Sequence, residues 1–232
     1  MQKKNALVLG ATGATGRELV KQLLAHPAFG TVSIFIRNKP DIEHHKLKVY
    51  EIDFSRLYDY KNLIAGDVLF SALGTTLKDA GNKVKQHEVD YTYQYELAKM
   101  ASENKVNHYS LVSSYGANKN SWFFYLKTKG ALEEEVKKLS FTSTHIFQPP
   151  TLIRQADLLR PTERRGIRML NMLNRVGILT SQKPLSVSVL AKKMIDEAQQ
   201  NTQGKTVYQP KDIERMREYK EKIKRWEPRV TG

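Results

Sequence analysis

Short apolar runs alternate with helical patterns over the first 150 residues of the chain. The run at 6–9 predicts a buried strand, and apolar residues at positions 19, 20, 23 and 24 mark one face of a helix that follows it. The other predicted strands are at 31–36, 47–52, 67–73, 108–114 and 142–147, and further helices are predicted at 87–104 and 123–139. Six strands alternating with helices predict an α/β fold of the Rossmann type, doubly wound, with a mainly parallel sheet and helices on both faces.

The alternation ends after residue 150. There the pattern predicts a helical stretch near 167–173, a helix at 187–200, a short strand at 206–208 and an amphipathic helix along 213–226. A chain of 232 residues fits one domain, with a nucleotide-binding core over about 1–150 and a small C-terminal substrate lobe over about 151–232. The apolar face of the last helix is more typical of packing on its own domain than of membrane binding.

Composition excludes several classes of function. The absence of cysteine excludes disulfides, thiolate zinc sites and a cysteine nucleophile. The formal charge is +14, but the basic residues are scattered among acidic ones and no nucleic-acid-binding motif accompanies them. No apolar run approaches the ~20 residues of a membrane span, and the histidines show no metal spacing. We expect a cytoplasmic monomer or homodimer that acts on a small molecule and binds no metal, nucleic acid or membrane.

A glycine-rich segment, Gly10-Ala11-Thr12-Gly13-Ala14-Thr15-Gly16, lies between the first strand and the first helix. Glycines permit a tight turn and a close backbone approach, and a helix start offers N–H groups and a positive dipole to a phosphate. Arg17 and Glu18 stand where a nucleoside-triphosphate loop needs Lys and Ser or Thr. The segment therefore predicts binding of a dinucleotide.

The ends of the second and third strands bear on which dinucleotide binds. An NAD site usually has an acidic residue about 20 residues beyond the glycines, whereas this chain has Arg37 there and no carboxylate until Asp41. A guanidinium suits the 2′-phosphate of NADP, so we favour NADP(H) over NAD(H), with a plain surface arginine as the alternative. Asp53 follows the third strand, where its carboxylate can accept from the adenine amino group or cap the next helix.

Two further strand ends carry hydroxyl groups. Gly74-Thr75-Thr76 follows the fourth strand and suits contact with the pyrophosphate and the nicotinamide ribose. The polar segment 77–85 after it is predicted to be a mobile loop, which either closes over the substrate or is simply a connection. Ser114 ends the fifth strand, and Tyr125 and Lys129 are four residues apart on the next helix, which puts them on one face. An ammonium one turn from a tyrosine stabilises the phenolate, and a serine hydroxyl can orient a substrate carbonyl.

The order of these motifs resembles the short-chain dehydrogenase/reductase superfamily, in its atypical branch with a Gly-x-x-Gly-x-x-Gly loop, and more narrowly the Tat-interacting-protein-like oxidoreductases. The likeness rests on residues 10–16, Leu73-Gly74-Thr75-Thr76, Ser113-Ser114-Tyr115-Gly116-Ala117 and the segment 125–130. It implies a catalytic triad of Ser114, Tyr125 and Lys129, with Ser113 as the fallback for the serine.

The motifs and the resemblance together predict a set of cofactor contacts. They are Gly10, Thr12, Gly13, Ala14, Thr15, Gly16, Arg37, Asp53, Phe54, Ala72, Leu73, Gly74, Thr75, Ser113, Tyr125, Lys129 and Pro149. One departure lies after the sixth strand, where the family usually has Arg-Pro-Gly and this chain has Gln148-Pro149-Pro150.

The expected activity is NADPH-dependent reduction of a small carbonyl or related substrate, with Tyr125 as general acid/base. The alternatives are a non-catalytic NADP(H)-binding regulator or scaffold and, further, a sugar-nucleotide epimerase or dehydratase. About 80 residues after the sixth strand are few for a sugar-nucleotide lobe.

Overall fold

A seven-stranded parallel sheet is the centre of the structure, a computed structural model that describes residues 2–38, 42–153, 155, 184–200 and 202–213. The strands are β1 (Lys4–Leu9), β2 (Phe29–Ile36), β3 (Leu47–Glu51), β4 (Val68–Ser71), β5 (His108–Val112), β6 (Ser143–Phe147), β7 (Leu152–Ile153), β8 (Leu185–Ser186) and β9 (Gly204–Tyr208). The order in the main sheet is β3-β2-β1-β4-β5-β6-β9, and a separate two-stranded sheet pairs β7 with β8. The predicted Rossmann-type α/β fold is confirmed.

Helices cover both faces of the sheet. They are α1 (Ala14–Ala25), α2 (Leu77–Ala80), α3 (Lys83–His87), α4 (Tyr93–Glu103), α5 (Phe124–Val136) and α6 (Val187–Gln199), with a 3₁₀ segment at Phe54–Leu63 and a π turn at Glu88–Thr92. On one face, Leu19 and Leu23 of α1 share a buried cluster with Leu190 and Met194 of α6. A second buried cluster on the other face contains α4, α5 and the 3₁₀ segment.

The strand register brings the candidate loops together. Leu9, the last residue of β1, pairs with Phe35 of β2 on one side and with Ser71 of β4 on the other. The order of strands along the chain reverses between these two neighbours, and ligands of open α/β sheets bind outside the strand ends at such a point. The loops after β1, β2 and β4 therefore meet at one edge.

Three segments differ from the sequence-based predictions. The strand assigned to the C-terminal lobe is β9, which pairs with β6 as the seventh strand of the main sheet. The segment 77–85, predicted to be a mobile loop, contains α2 and the start of α3, because Thr76 and Asn82 cap these short helices. The helix predicted at 87–104 is interrupted by the π turn. The predictions near 167–173 and for 214–226 lie outside the described residues.

Two buried histidines lie next to each other on β5 and β6, away from the loops that follow β1, β2 and β4. The rings of His108 in β5 and His145 in β6 are 4.4 Å apart, and both side chains are almost fully buried. Burial, with smaller contributions from His145 and Lys4, lowers the pKa of His108 to about 3, and burial also lowers the pKa of His145. The folded protein therefore holds both rings neutral at pH values where the unfolded chain binds protons.

Acidification is expected to destabilise the fold through these histidines. Because the unfolded chain takes up a proton near pH 6.5 and the folded His108 only near pH 3, stability falls as the pH decreases between these values. The loss from His108 is about 1.4 kcal/mol per pH unit within this range, and the lowered pKa of His145 acts in the same direction. Urea unfolding at pH 7, 6 and 5 should show a shallower pH dependence for His108→Leu. The same substitution at the exposed His87 is the control, because it removes a histidine and leaves the buried pair intact; equal slopes for all three proteins would contradict the prediction.

Candidate active site

The glycine turn packs directly on the backbone that follows β4. Gly10 has a φ of +82°, and a Cβ atom on it would lie 2.5 Å from the backbone nitrogen of Leu73. A Cβ atom on Gly16 would overlap the carbonyl oxygen of Gly10. These two positions therefore accept only glycine without movement of the backbone, and they hold the start of α1 against the end of β4.

Gly13 has a different role in the same turn. It is the exposed N-cap residue of α1, its N–H donates to the Gly10 carbonyl at 3.0 Å, and the first turn of the helix contains no acidic residue. A glycine at this position leaves α1 without a side-chain cap, so the first N–H groups of the helix are available to an anion. The turn fits a pyrophosphate by its chemistry as well as by its shape.

Two adjoining clefts run along the carboxyl edge of the sheet. The first, of about 530 Å³, is lined by the glycine turn and the segment after β4, with Gly10, Thr12, Gly13, Arg37, Ala72, Leu73, Gly74 and Thr75 among its residues. The second, of about 520 Å³, is lined by residues that include Arg37, Asp53, Phe54, Ser55 and Tyr93. Arg37, Leu73, Val89 and Tyr93 line both, so the clefts form one groove with Arg37 at the junction.

Asp53 caps the 3₁₀ segment that follows β3. Its Oδ1 atom accepts from the Ser55 backbone N–H at 2.8 Å and from the Ser55 hydroxyl at 2.7 Å. These hydrogen bonds lower the pKa of the Asp53 carboxyl, so it is ionised at neutral pH. The capping interpretation is confirmed, and because Asp53 also lines the second cleft, the predicted adenine contact stays a prediction.

Tyr125 and Lys129 occupy successive turns of α5 with very different exposure. Tyr125 is 39% exposed, whereas Lys129 is only 2% exposed and directs its ammonium towards Asp90. Ser114, after the end of β5, is partly exposed, and its hydroxyl is 3.4 Å from the Tyr115 carbonyl. The three predicted catalytic residues thus lie on the β5–α5 connection and the first turns of α5.

Asp90 links α5 to the groove, and the sequence analysis did not identify it. The residue is fully buried in the π turn, where its Oδ1 atom accepts from the Thr75 backbone N–H at 3.0 Å and lies 3.8 Å from Lys129 Nζ. Burial raises the pKa of the Asp90 carboxyl, while the Lys129 ammonium and the Thr75 N–H oppose that shift. The lysine and the Gly74-Thr75 turn are therefore held by the same carboxylate.

A polar stripe with helical spacing was the available signal for Asp90. Gln86, Asp90 and Gln94 are four residues apart in turn, and all three are buried. Gln94 extends the stripe by accepting a hydrogen bond from the Ser71 hydroxyl at 2.9 Å. Buried polar side chains require hydrogen-bond partners. The partners of Asp90 are the Thr75 N–H and Lys129, and the partner of Gln94 is Ser71 at the end of β4.

Ser113 does not fit the role of fallback serine. It is 5% exposed, and its hydroxyl donates to the carboxylate of Glu133 on α5, which leaves that hydroxyl unable to donate to a substrate. Pro149 lies close by and accepts from the Tyr115 backbone N–H at 3.0 Å. Neither of these residues is among those that line the two clefts, nor are Ala14, Thr15 and Gly16 from the first turn of α1.

The described residues contain no group of three His, Asp or Glu side chains placed to hold a metal ion. No helix within these ranges is both long and apolar enough to cross a membrane.

Comparisons with a family model and with relatives of known sequence agree on the family of this chain. Residues 10–170 match the family described as NAD(P)H-binding. The mitochondrial protein FMP52 of Candida albicans is 32% identical over 212 residues, which cover 86% of this chain and 90% of the relative. HTATIP2 of Rattus norvegicus is 35% identical over 167 residues, covering 70% and 69% of the two chains. With mitochondrial relatives, the cytoplasmic location stays a prediction.

Solved structures share the fold at low sequence identity. A UDP-N-acetylglucosamine 4-epimerase from Methanobrevibacter ruminantium superposes with a TM-score of 0.66 at 17% identity, covering 90% of this chain and 77% of the epimerase. A short-chain dehydrogenase family protein from Francisella tularensis gives a TM-score of 0.60 at 17% identity, with 90% and 98% covered. The chain thus belongs to the NAD(P)H-binding family, is related to HTATIP2 and FMP52, and has the Rossmann fold of these solved structures.

Proposed function

We propose that the protein is an NADP(H)-dependent reductase of a small carbonyl or related substrate, with Tyr125 as proton donor. The observation that carries this proposal is Asp90, which bonds to the Gly74-Thr75 turn of the groove and faces Lys129. This connection supports a nicotinamide end of the groove beside the Tyr125–Lys129 pair. The bound cofactor would supply a hydride, and the protein supplies position and a proton.

The residues of α5 and β5 would divide the remaining work. The exposed Tyr125 hydroxyl would give its proton to the substrate oxygen, and the buried Lys129 ammonium would stabilise the phenolate that remains. The Ser114 hydroxyl would donate a hydrogen bond to the same substrate oxygen and oppose the negative charge that develops on it. Solvent at the exposed side of Tyr125 offers a route for the proton to be replaced.

Arg37 supports the choice of NADP over NAD. Its exposed side chain lies at the junction of the two clefts, where a guanidinium can form charge-assisted bonds to a ribose 2′-phosphate. Asp53 lines the second cleft, but its carboxylate already accepts hydrogen bonds from the protein as the cap of the 3₁₀ segment.

Arg37→Ala is expected to weaken NADP⁺ binding by about 10- to 100-fold, as the loss of hydrogen bonds to a charged group predicts. NAD⁺ has no 2′-phosphate, so its affinity should change by less than about threefold. Titration calorimetry with each dinucleotide measures both effects. Arg56 is the matched control, because it is an exposed arginine that pairs with Asp59 and does not line the groove. Equal losses for NADP⁺ and NAD⁺ would refute the role of Arg37.

Turnover is tested by NADPH oxidation against a panel of aldehydes, ketones and quinones. Activity that requires Tyr125 supports the reductase. Tight NADP(H) binding without turnover across the panel would instead support the regulator or scaffold, and interconversion of UDP-sugars without net NADPH oxidation would support an epimerase.

A further inference from the structure

A buried hydrogen-bond network joins the ends of three strands to α5. The Ser113 hydroxyl donates to Glu133, and the Gln148 amide donates to both Glu133 oxygens, each at 2.9 Å. The Gln209 amide then donates to Gln148 Oε1 at 2.6 Å. The network thus runs from the end of β5, through α5, to the residues that follow β6 and β9.

Glu133 occupies an informative place on α5. Tyr125, Lys129 and Glu133 follow one another at intervals of four residues, so they lie along one face of the helix. Glu133 is only 4% exposed, and the side chains that face it within the described residues donate from a hydroxyl and an amide. A buried carboxylate needs these donors, because leaving it unpaired costs far more than one ordinary hydrogen bond.

The same network holds Ser114 from both sides. Its neighbour Ser113 is fixed through the hydroxyl bond to Glu133 and a backbone bond to Phe147, 2.7 Å long. Its other neighbour, Tyr115, donates its backbone N–H to Pro149, the residue next to Gln148. Ser114 is therefore positioned relative to α5 by the two residues that flank it.

We propose that Glu133 and Gln148 are positioning residues, whose contact fixes the spacing between Ser114 and the Tyr125–Lys129 pair. Gln148 is a neutral amide that donates to Glu133 and accepts from Gln209, so it bridges α5 and the residue after β9. The network has a definite polarity, with a carboxylate acceptor on α5 and an amide donor at position 148, directly after β6. This inference rests on the proposed reductase activity.

Exchanging the carboxylate at position 133 with the amide at position 148 tests whether their donor–acceptor arrangement matters. In Glu133→Gln one of the two acceptor oxygens becomes an amide donor that faces the Gln148 amide donor, and in Gln148→Glu two carboxylates face each other. In the double variant the amide on α5 donates to the carboxylate at position 148, which can still accept from Gln209. Each single variant should lower kcat by about 10- to 100-fold, as a small misplacement of catalytic groups predicts, with the affinity for NADPH within about threefold. The double variant should recover most of kcat.

Glu197→Gln is the control for a merely structural effect. Glu197 is also buried and hydrogen-bonded, to Lys193 at 2.5 Å and to the Tyr208 hydroxyl at 2.7 Å, but it lies on α6 at the other face of the sheet. Its replacement should lower the melting temperature and leave kcat unchanged. All rates are compared at a temperature where circular dichroism shows every variant folded.

Hydrogen exchange gives a readout that does not depend on turnover. Amides in the segment 113–117 should exchange faster in each single variant, and at the wild-type rate in the double variant and in Glu197→Gln. Full kcat in a folded Glu133→Gln, equal kcat loss in Glu197→Gln, or no recovery in the double variant would overturn the inference. If Tyr125→Phe retains full activity, the proposed reductase mechanism is wrong. If Tyr125→Phe loses activity while the variants of Glu133 and Gln148 keep the wild-type kcat, the reductase mechanism stands and the positioning role is wrong.

Discussion

Replacing Tyr125 with phenylalanine is expected to lower kcat for NADPH-dependent reduction by about 10²- to 10⁴-fold, the usual contribution of a positioned general acid. The aromatic ring is retained, so the local packing on α5 should persist. The affinity for NADPH should remain nearly unchanged, because the groove is lined by residues of other elements. Steady-state kinetics and calorimetry measure the two quantities separately.

Tyr115→Phe is a closely matched control. Tyr115 is 40% exposed and Tyr125 is 39% exposed, and both lie on the connection between β5 and α5 or directly after it. The backbone N–H of Tyr115 donates to Pro149 and its carbonyl lies 3.4 Å from the Ser114 hydroxyl, and the substitution keeps both groups. Comparable rate losses in the two variants would show that exposed hydroxyls of this region, and not Tyr125 in particular, support turnover.

Lys129→Met is expected to destabilise the folded protein by about 3–5 kcal/mol, the cost of leaving a buried charge without its partner. The partner is Asp90, which is fully buried 3.8 Å from the ammonium. Because burial already raises the pKa of the Asp90 carboxyl, loss of the lysine should make that carboxyl easier to protonate. The destabilisation measured by urea unfolding should therefore be smaller at pH 5 than at pH 7.

A second substitution separates stability from catalysis. Asp90→Asn keeps an acceptor for the Thr75 N–H and removes the charge, so the double variant with Lys129→Met should regain most of the lost stability while remaining inactive. Lys192→Met is the control, since Lys192 pairs with Asp196 on the surface of α6 and such pairs contribute at most about 1 kcal/mol. Equal stability of Lys129→Met and Lys192→Met would mean that the buried pair contributes nothing.

Local patterns were sufficient for the fold and for one end of the groove. Alternating apolar runs and helical stripes predicted the parallel sheet, because buried parallel strands must be apolar on both faces. The glycine turn was predicted as a phosphate loop, and Gly10 and Gly16 indeed pack with no room for a side chain. The four-residue interval between Tyr125 and Lys129 was enough to place them on one helix face.

By itself, the sequence determined six strands of the main sheet and the residues of α1 and α5 that share a face, because periodicity and backbone stereochemistry act between near neighbours. Only the tertiary structure decided which polar groups meet across elements: Asp90 with Thr75 and Lys129, and Ser113 with Glu133. It also assigned β9 to the main sheet, next to β6. Such contacts depend on how helices and strands pack in three dimensions. A buried polar group without a partner is costly because it has lost its water, so such groups pair with one another whatever their separation along the chain.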